Sequence, residues 1–530
     1  MILYNGKIYT QNKNLPFVEA VHISGNKIIK VGSSNEVLLK SDKTIKKIDL
    51  KQKTVLPGFT DSHFHFYEWA LNYHSVDLSK AFSFKEMEQL LIQKAKTLKK
   101  GSWILGNGFN ESDWPECKMP DRYDLDKIVP DHPVYILRCC LHVGVVNSNA
   151  LKNAQINLKT IDPPEGRIVK DSQGKPTGVL RELALNLIKN IVPRPTEDQI
   201  LDNMEKGMSE LHRFGITSIH DIRLMGGLDG ADSLKAWQKL NEFQKLKIRC
   251  HVSLPGEMTD QAIALGLRTG FGNDKLKIGH LKFFADGGMG ARTAWMLEKY
   301  LDAGYGMPLT SIENIENAVL KAEAAGISVM IHSIGDKANR KIVSMFERVE
   351  KINPQRPKIP HRIEHVQMIR PEDLERMGRL KSITTSCQPN NLNLDISMIE
   401  MCVGKKSKYT YMLKSILDNG LPLILNSDAP VCDKNPFNGI FSAVTRKRMN
   451  NTPKNGWYIE QALSVTEAIA GYTIAPAVAM GTDTVSGSVS PGKFADMIVL
   501  DKDIHLIDQD KIPEITIDMT IFDGKIVYEK

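Results

Sequence analysis

VLPGFTDSHFHFY, residues 55–67, carries two histidines, His63 and His65, at positions i and i+2 shortly after Pro57-Gly58. Side chains of an extended segment alternate between faces, so this spacing puts both imidazoles on one side. Two neutral imidazoles sharing a face can chelate one divalent cation. The same spacing also occurs on ordinary polar strand edges, so the pair gains meaning only if the rest of the chain supplies further ligands.

On the N-terminal side of this stretch, residues 1–56 read as short strands joined by turns. ILYNGKIYT, AVHISGNKIIKVG and KTIKKIDL alternate apolar and polar residues, and Asn5-Gly6 and Gly25-Asn26 are expected hairpin turns. The far end of the chain echoes this beginning. SVSPGKFADMIVLD reads as a strand after a Pro-Gly turn, and TIFDGKIVY repeats the pattern of ILYNGKIY with Asp523-Gly524 at its turn. One small β-sandwich built from residues 1–56 and 487–530 is the expectation, with the middle of the chain inserted between its halves.

From about 206 to 430, β and α patterns alternate. ELHRFGITSIHD, KLKIRCHVSL, KLKIGHLKFFADG, AAGISVMIHSIGD, PHRIEHVQ, LKSITTSCQP and NGLPLILNSDAP are short apolar or β-branched runs. Helical stretches such as IENIENAVLKAEAAG and KANRKIVSMFERVEKI separate several of them. With the His63 strand they make eight, the pattern of an α/β (β/α)8 TIM barrel whose active site lies at the C-terminal ends of its strands. The barrel is assigned to residues 57–69 and 206–486. Residues 70–205 exceed a normal crossover and are read as an inserted α/β subdomain over the barrel mouth.

The 530-residue chain, with 42% hydrophobic and 25% charged residues, has ordinary globular composition. Its net charge of +7 is small for this length and its lysines are scattered; Lys94, Lys96, Lys99 and Lys100 fall on a solvated helix face, so no nucleic-acid partner is expected. Nothing reaches the run of about 18 apolar residues needed to span a membrane, and MILYNGKIYT lacks the features of a signal peptide. Seven cysteines without a CxxC spacing fit a reducing cytoplasm. Phosphate-loop, dinucleotide and serine-hydrolase signatures are missing.

The remaining candidates sit at strand ends. In GHLKFFADG, Leu281, Phe283 and Ala285 share the face suited to surrounding helices, which turns Lys282 inward. A buried lysine must be neutralised or paired: beside two metals it can become an anionic carbamate, and otherwise a barrel carboxylate such as Asp286 can pair with it. His332 ends the fifth strand, His365 the sixth, and Asp428 follows the eighth, where Leu423 and Leu425 face outward. Alternation around an inward His365 turns Arg362 and Glu364 outward, toward the helix layer, as a buried ion pair. Singly, such residues are core histidines and helix caps; jointly with His63 and His65 they form one constellation.

These motifs resemble the amidohydrolase superfamily, and more narrowly its long-insertion branch, which includes N-substituted formamide deformylases and exoenzyme regulators. The resemblance covers nearly the whole chain, through LPGFTDSHFH, GNGFNESDWPE, LHVGVVNSNAL, GKPTGVLRE, LKFFADGGMGARTA, HSIGDKA, RIEH, NSDAPV and GSVSPGKFADMIVLD. It implies a binuclear centre in which His63, His65 and Asp428 hold the more buried metal and His332 and His365 the more exposed one, with carbamylated Lys282 as the bridge. It also implies a homodimer.

That ligand set suggests a hydrolase that cleaves a carbon–nitrogen bond of a small amide-type substrate, with two divalent ions, zinc by preference, activating water. Asp428 would act as general base and then as general acid. Substrate contacts are expected from the loop Asp286–Thr293 and from the insertion. Arg292 would hold a carboxylate or be tied in an ion pair, and His142 would line the mouth or sit in a core. A deaminase with one metal is the nearest rival; superfamily deaminases carry a glutamate soon after the strand-five histidine and no strand-four lysine, whereas Ser333, Ile334, Gly335 and Asp336 follow His332 here. A non-catalytic regulatory protein on the same scaffold is the alternative of another class, and hydrolysis abolished by chelation would exclude it.

Overall fold

The computed structural model describes residues 1–39, 44–224, 231–355 and 357–530. Lys43, the first residue of the expected strand 43–50, lies outside them. Eight strands form one sheet: β1 (Phe59–Phe64), β2 (Ile216–Asp221), β3 (Arg249–Pro255), β4 (Leu276–Phe284), β5 (Val329–Ser333), β6 (His361–His365), β7 (Ile383–Cys387) and β8 (Leu423–Leu425). Each pairs in parallel with the next. The ring is completed beyond the strand ends, where Asp428 N–H donates to His63 O at 2.9 Å and His65 N–H to Ala429 O at 2.8 Å. This is a (β/α)8 barrel, and those two bonds set Asp428 against His63, in β1, and His65, just after it.

β5, β6 and β7 are buried along their whole length, as strands between a barrel interior and a helix layer must be. The helix Ile312–Ala324 starts at Ser311, whose hydroxyl accepts from Asn314 N–H, and buries Ile315, Val319 and Ala322. Asp336–Ile352 buries Ile342, Val343, Phe346 and Val349 at helical spacing. Each large apolar side chain so buried contributes about 1.5–3 kcal/mol, and the core runs continuously from Phe59 to Ile517 around the barrel.

The two termini build a pair of sheets. One contains, in spatial order, Phe17–Val18, Lys7–Tyr9, Thr54–Pro57, Met497–Leu500, Ile517–Phe522 and Lys525–Glu529; the other Lys27–Gly32, Ala20–Ser24, Ile2–Tyr4 and Lys47–Asp49. They share a core that includes Leu3, Val21, Val55, Met497 and Ile521. Asp523-Gly524, both at positive φ, is a two-residue hairpin turn. Asn5-Gly6 is not: Ile2–Tyr4 and Lys7–Tyr9 belong to different sheets, and the chain crosses between them. Gly6 passes so near Leu50 that an added Cβ would lie 2.5 Å from its Cδ1.

Between β1 and β2 a third group of strands forms a six-stranded sheet from Val76–Asp77 to Pro176–Glu182. The helix Glu197–Leu211, opened by a Thr196/Gln199 capping box, returns the chain to β2. Among the described residues no helix is long and apolar enough to cross a membrane.

Candidate active site

The cavity at the C-terminal end of the barrel is lined by His63, His65, Lys282, His332, His365 and Asp428 together. His65 Nε2 lies 3.1 Å and His63 Nε2 3.4 Å from Asp428 Oδ1, and these three residues can offer ligand atoms to one ion. The His63 and His365 rings are 5.2 Å apart between centroids, and those of His365 and His332 4.4 Å.

The outer nitrogens of these rings tell what the inner ones are for. His63 Nδ1 meets Glu364 Oε2 at 2.5 Å, His65 Nδ1 meets Ile222 O at 3.0 Å, and His365 Nδ1 meets Gln388 Oε1 at 2.9 Å. Each acceptor fixes the proton on Nδ1 and leaves a lone pair on Nε2, as a metal-ligating histidine requires. His63 Nε2 and Asp428 Oδ1 are buried with no hydrogen-bond partner, which carries a cost unless an ion takes their lone pairs. His332 is turned the other way, with Nε2 3.5 Å from Gly287 O, leaving Nδ1. The donor set therefore fits a divalent metal.

Burial, reinforced by Lys282, lowers His63 to about 3, and burial lowers His365 to about 4, so both imidazoles are neutral at physiological pH. Burial opposes the charge on Asp428, but His63, His65 and His365 outweigh it and hold the carboxyl below its usual range. Burial also lowers Lys282, to about 8. Its Nζ makes no hydrogen bond among the described residues and lies 4.8 Å from the Phe284 ring centroid.

Glu364 and Arg362 do not face the helix layer as expected; they point into the barrel. Arg362 donates to Glu364, to Ser62 O at 2.8 Å and to His220 Nδ1 at 2.8 Å. The outward residues of β6 are His361, stacked on Phe346, and Ile363 in the core. Alternation fails at the strand end, where His365 has φ 72° and Val366 φ 43°. That left-handed turn brings His365 inward directly after the inward Glu364, so both serve the same site.

The expected substrate contacts divide. Asp286 neither pairs with Lys282 nor lines the cavity: its carboxylate accepts from the N–H groups of Ile334, Gly335 and Trp295 at 2.9, 2.8 and 2.7 Å. It ties the loop after β4 to the end of β5. Arg292 is held by Asp302, Nε to Oδ1 at 2.9 Å and Nη2 to Oδ2 at 2.6 Å, and borders a separate groove with Arg167 and Arg181. Of the two readings of Arg292, the ion pair is the one present. His142 does line the cavity, with Nδ1 2.7 Å from Glu182 Oε2. Burial opposes its charge, but Glu182 outweighs this and raises it to about 9. Arg138, which nothing in the sequence pattern singled out, also lines the cavity, gripped through Nε by Glu111 at 2.9 Å.

The sequence profile of the Amidohydrolase family matches residues 46–528, and the chain belongs to that family. It is 31% identical over 533 residues to the putative amidohydrolase YtcJ of Bacillus subtilis (strain 168), covering 100% of this chain and 99% of that one. Over 544 residues it is 26% identical to the N-substituted formamide deformylase of Arthrobacter pascens, covering 100% and 98%. A solved structure of an uncharacterized metal-dependent hydrolase from Pyrococcus horikoshii OT3 is 28% identical with a TM-score of 0.76, over 96% of this chain and 98% of that one. The protein is a hydrolase acting on carbon–nitrogen bonds.

Proposed function

We propose that the cavity holds two divalent ions, zinc being the expected metal, and cleaves an N-acyl or N-formyl amine. His63, His65 and Asp428 would hold one ion, His332 and His365 the other, and Lys282, as its carbamate, would be shared. The observation that carries this reading is the set of histidines whose Nδ1 atoms are engaged by Glu364, Ile222 and Gln388 while Nε2 is left for a ligand. When bound, such ions act as Lewis acids and bring the pKa of water toward neutrality. Burial lowers Lys282 to about 8, which raises the fraction of uncharged amine available to add carbon dioxide. Asp428, kept ionised, accepts the proton of the attacking water and passes it to the leaving nitrogen. An amine product fits the name of the Arthrobacter relative. All seven cysteines are free, which supports a reducing, cytoplasmic setting.

Elemental analysis of protein purified without chelator and with bicarbonate tests the reading. About two ions per chain, with turnover of an N-formyl or N-acetyl amine that chelation abolishes, is the expected result. One ion per chain would remove Lys282 from its role and favour a deaminase-like site. No metal and none taken up would overturn the reading altogether.

A further inference from the structure

The metal ligands all come from the barrel, yet one wall of the cavity comes from the insertion, and one histidine there is set up like a working group. We propose that His142, held by Glu182, donates a hydrogen bond from Nε2 to the carbonyl oxygen of the bound substrate. This rests on the amide-type reaction proposed above.

Four observations converge on that ring. His142 immediately precedes the strand Val143–Val146 and Glu182 ends the strand Pro176–Glu182, which pair antiparallel, so residues 40 apart meet at one sheet end. The two are locked twice, by Nδ1 against Oε2 at 2.7 Å and by Glu182 N–H donating to His142 O at 2.9 Å. Glu182 Oε1 is in turn fixed by the Thr293 hydroxyl at 2.8 Å, across the boundary to the barrel loop. Glu182 also holds φ 50°, left-handed backbone that a non-glycine residue adopts only when its surroundings demand it.

The other edge of the ring faces Gly288: a Cβ there would lie 3.3 Å from His142 Cδ2 and 3.6 Å from Nε2. The His142 and His332 rings are 6.5 Å apart between centroids, whereas Asp428 stands with His63 and His65. The Glu364 beside His63 is already neutralised by Arg362, whereas Glu182 meets only the neutral Thr293 hydroxyl besides His142 among the hydrogen bonds of its side chain. Its charge therefore favours protons on both nitrogens of His142, which makes Nε2 a donor. A donor beside His332, away from the base, is placed for the oxygen that gains charge as a tetrahedral intermediate forms.

The test compares His142→Ala, His142→Gln and Gly288→Ala with the wild type, all metal-loaded. It reads kcat and KM for an N-formyl amine, metal content, and the calorimetric Kd of a phosphonamidate that imitates the tetrahedral intermediate. His142→Ala is expected to lower kcat about 100-fold, keep KM within about threefold, retain both ions and weaken the phosphonamidate by a factor similar to the loss in kcat. His142→Gln, which keeps a donor, should recover part of both losses. Gly288→Ala leaves His142 and Glu182 in place but crowds the ring, and should show a smaller loss of the same kind even if His142→Ala does not fold. Unchanged kcat and phosphonamidate affinity in His142→Ala and Gly288→Ala, with an active wild type, would overturn this inference alone. Loss of metal together with activity would also overturn it, by making His142 structural. A metal-loaded wild type that neither hydrolyses N-acyl amines nor binds the phosphonamidate would overturn the proposed reaction, and this inference with it.

Discussion

Lys282 stands on an inward position of β4 with Leu281 and Phe283 on the opposite face in the core. Its nitrogen, which makes no hydrogen bond among the described residues, lies 4.8 Å from the Phe284 ring centroid and feels the charges of Glu364 and Asp428. A lysine kept so in a barrel interior is better explained by chemistry on its nitrogen than by packing. Lys282→Ala is expected to lower metal content and to cut kcat/KM by at least about 100-fold. If Lys282 is carbamylated as proposed, added propionate should restore part of both, because its carboxylate would occupy the space of the carbamate; no recovery at any concentration would count against the carbamate. Glu364 presents a second test. It orients His63 and neutralises Arg362, each of them buried. Glu364→Gln should weaken metal binding about 10–100-fold and, by leaving Arg362 unpaired, lower unfolding free energy by about 3–5 kcal/mol. Equilibrium metal titration and chemical denaturation read the two effects separately.

Among the elements, the loop after β4 meets the cavity through Gly288, Met289 and Gly290 and not through Asp286 or Arg292. Asp286 and Arg292 have the residue types of a substrate clamp, but Asp286 is engaged by three backbone N–H groups and Arg292 by Asp302. The loop is thereby fastened to the end of β5, directly after His332. Asp286→Ala would leave the buried N–H groups of Ile334 and Gly335 without acceptors, at about 1–3 kcal/mol each, and the part-buried N–H of Trp295 as well. The expected result is a loss of about 2–3 kcal/mol or more in thermal unfolding, accompanied by lower metal content; a normal Tm with normal metal content would show that the tie is unimportant. Sequence could name these residues but not their partners, because Asp302 and the amides of Ile334 and Gly335 reach them only through the fold. At β6 the departure from alternation has another source. Alternation is a property of extended backbone, and His365 at φ 72° has left it.

At the scale of the molecule, the barrel interior is unusually rich in uncharged histidine. Burial lowers His63, His251 and His280 to about 3 and His365 to about 4. The unfolded chain takes up protons on these residues from about pH 6.5 downward, while the folded chain resists until about pH 4 or 3. The folded pKa values are the lower ones, so the contribution of these histidines is undiminished above about pH 6.5 and falls as the pH drops below it. It is offset in part by Asp61 and Asp286, which burial raises to about 7 and which take up protons in the folded chain over the same range. The expected slope for metal-free protein is up to about 1.4 kcal/mol per pH unit for each histidine. Denaturant titrations of the wild type and of His280→Gln between about pH 7 and 4.5 would measure it, and parallel profiles would mean that this histidine is solvated.

Local pattern sufficed for the eight-fold alternation and for the place of His63, His65, Lys282, His332, His365 and Asp428 at strand ends. These follow from local periodicity and residue chemistry, which are present in any short window of the chain. Tertiary structure decided what those windows cannot hold. It brought Glu364 to His63 across 301 positions and Glu182 to His142 across 40, and separated Asn5-Gly6 into two sheets. It also committed Arg292 to Asp302. A side chain's partner is fixed by which strands become neighbours, and that information exists only once the sheet has closed.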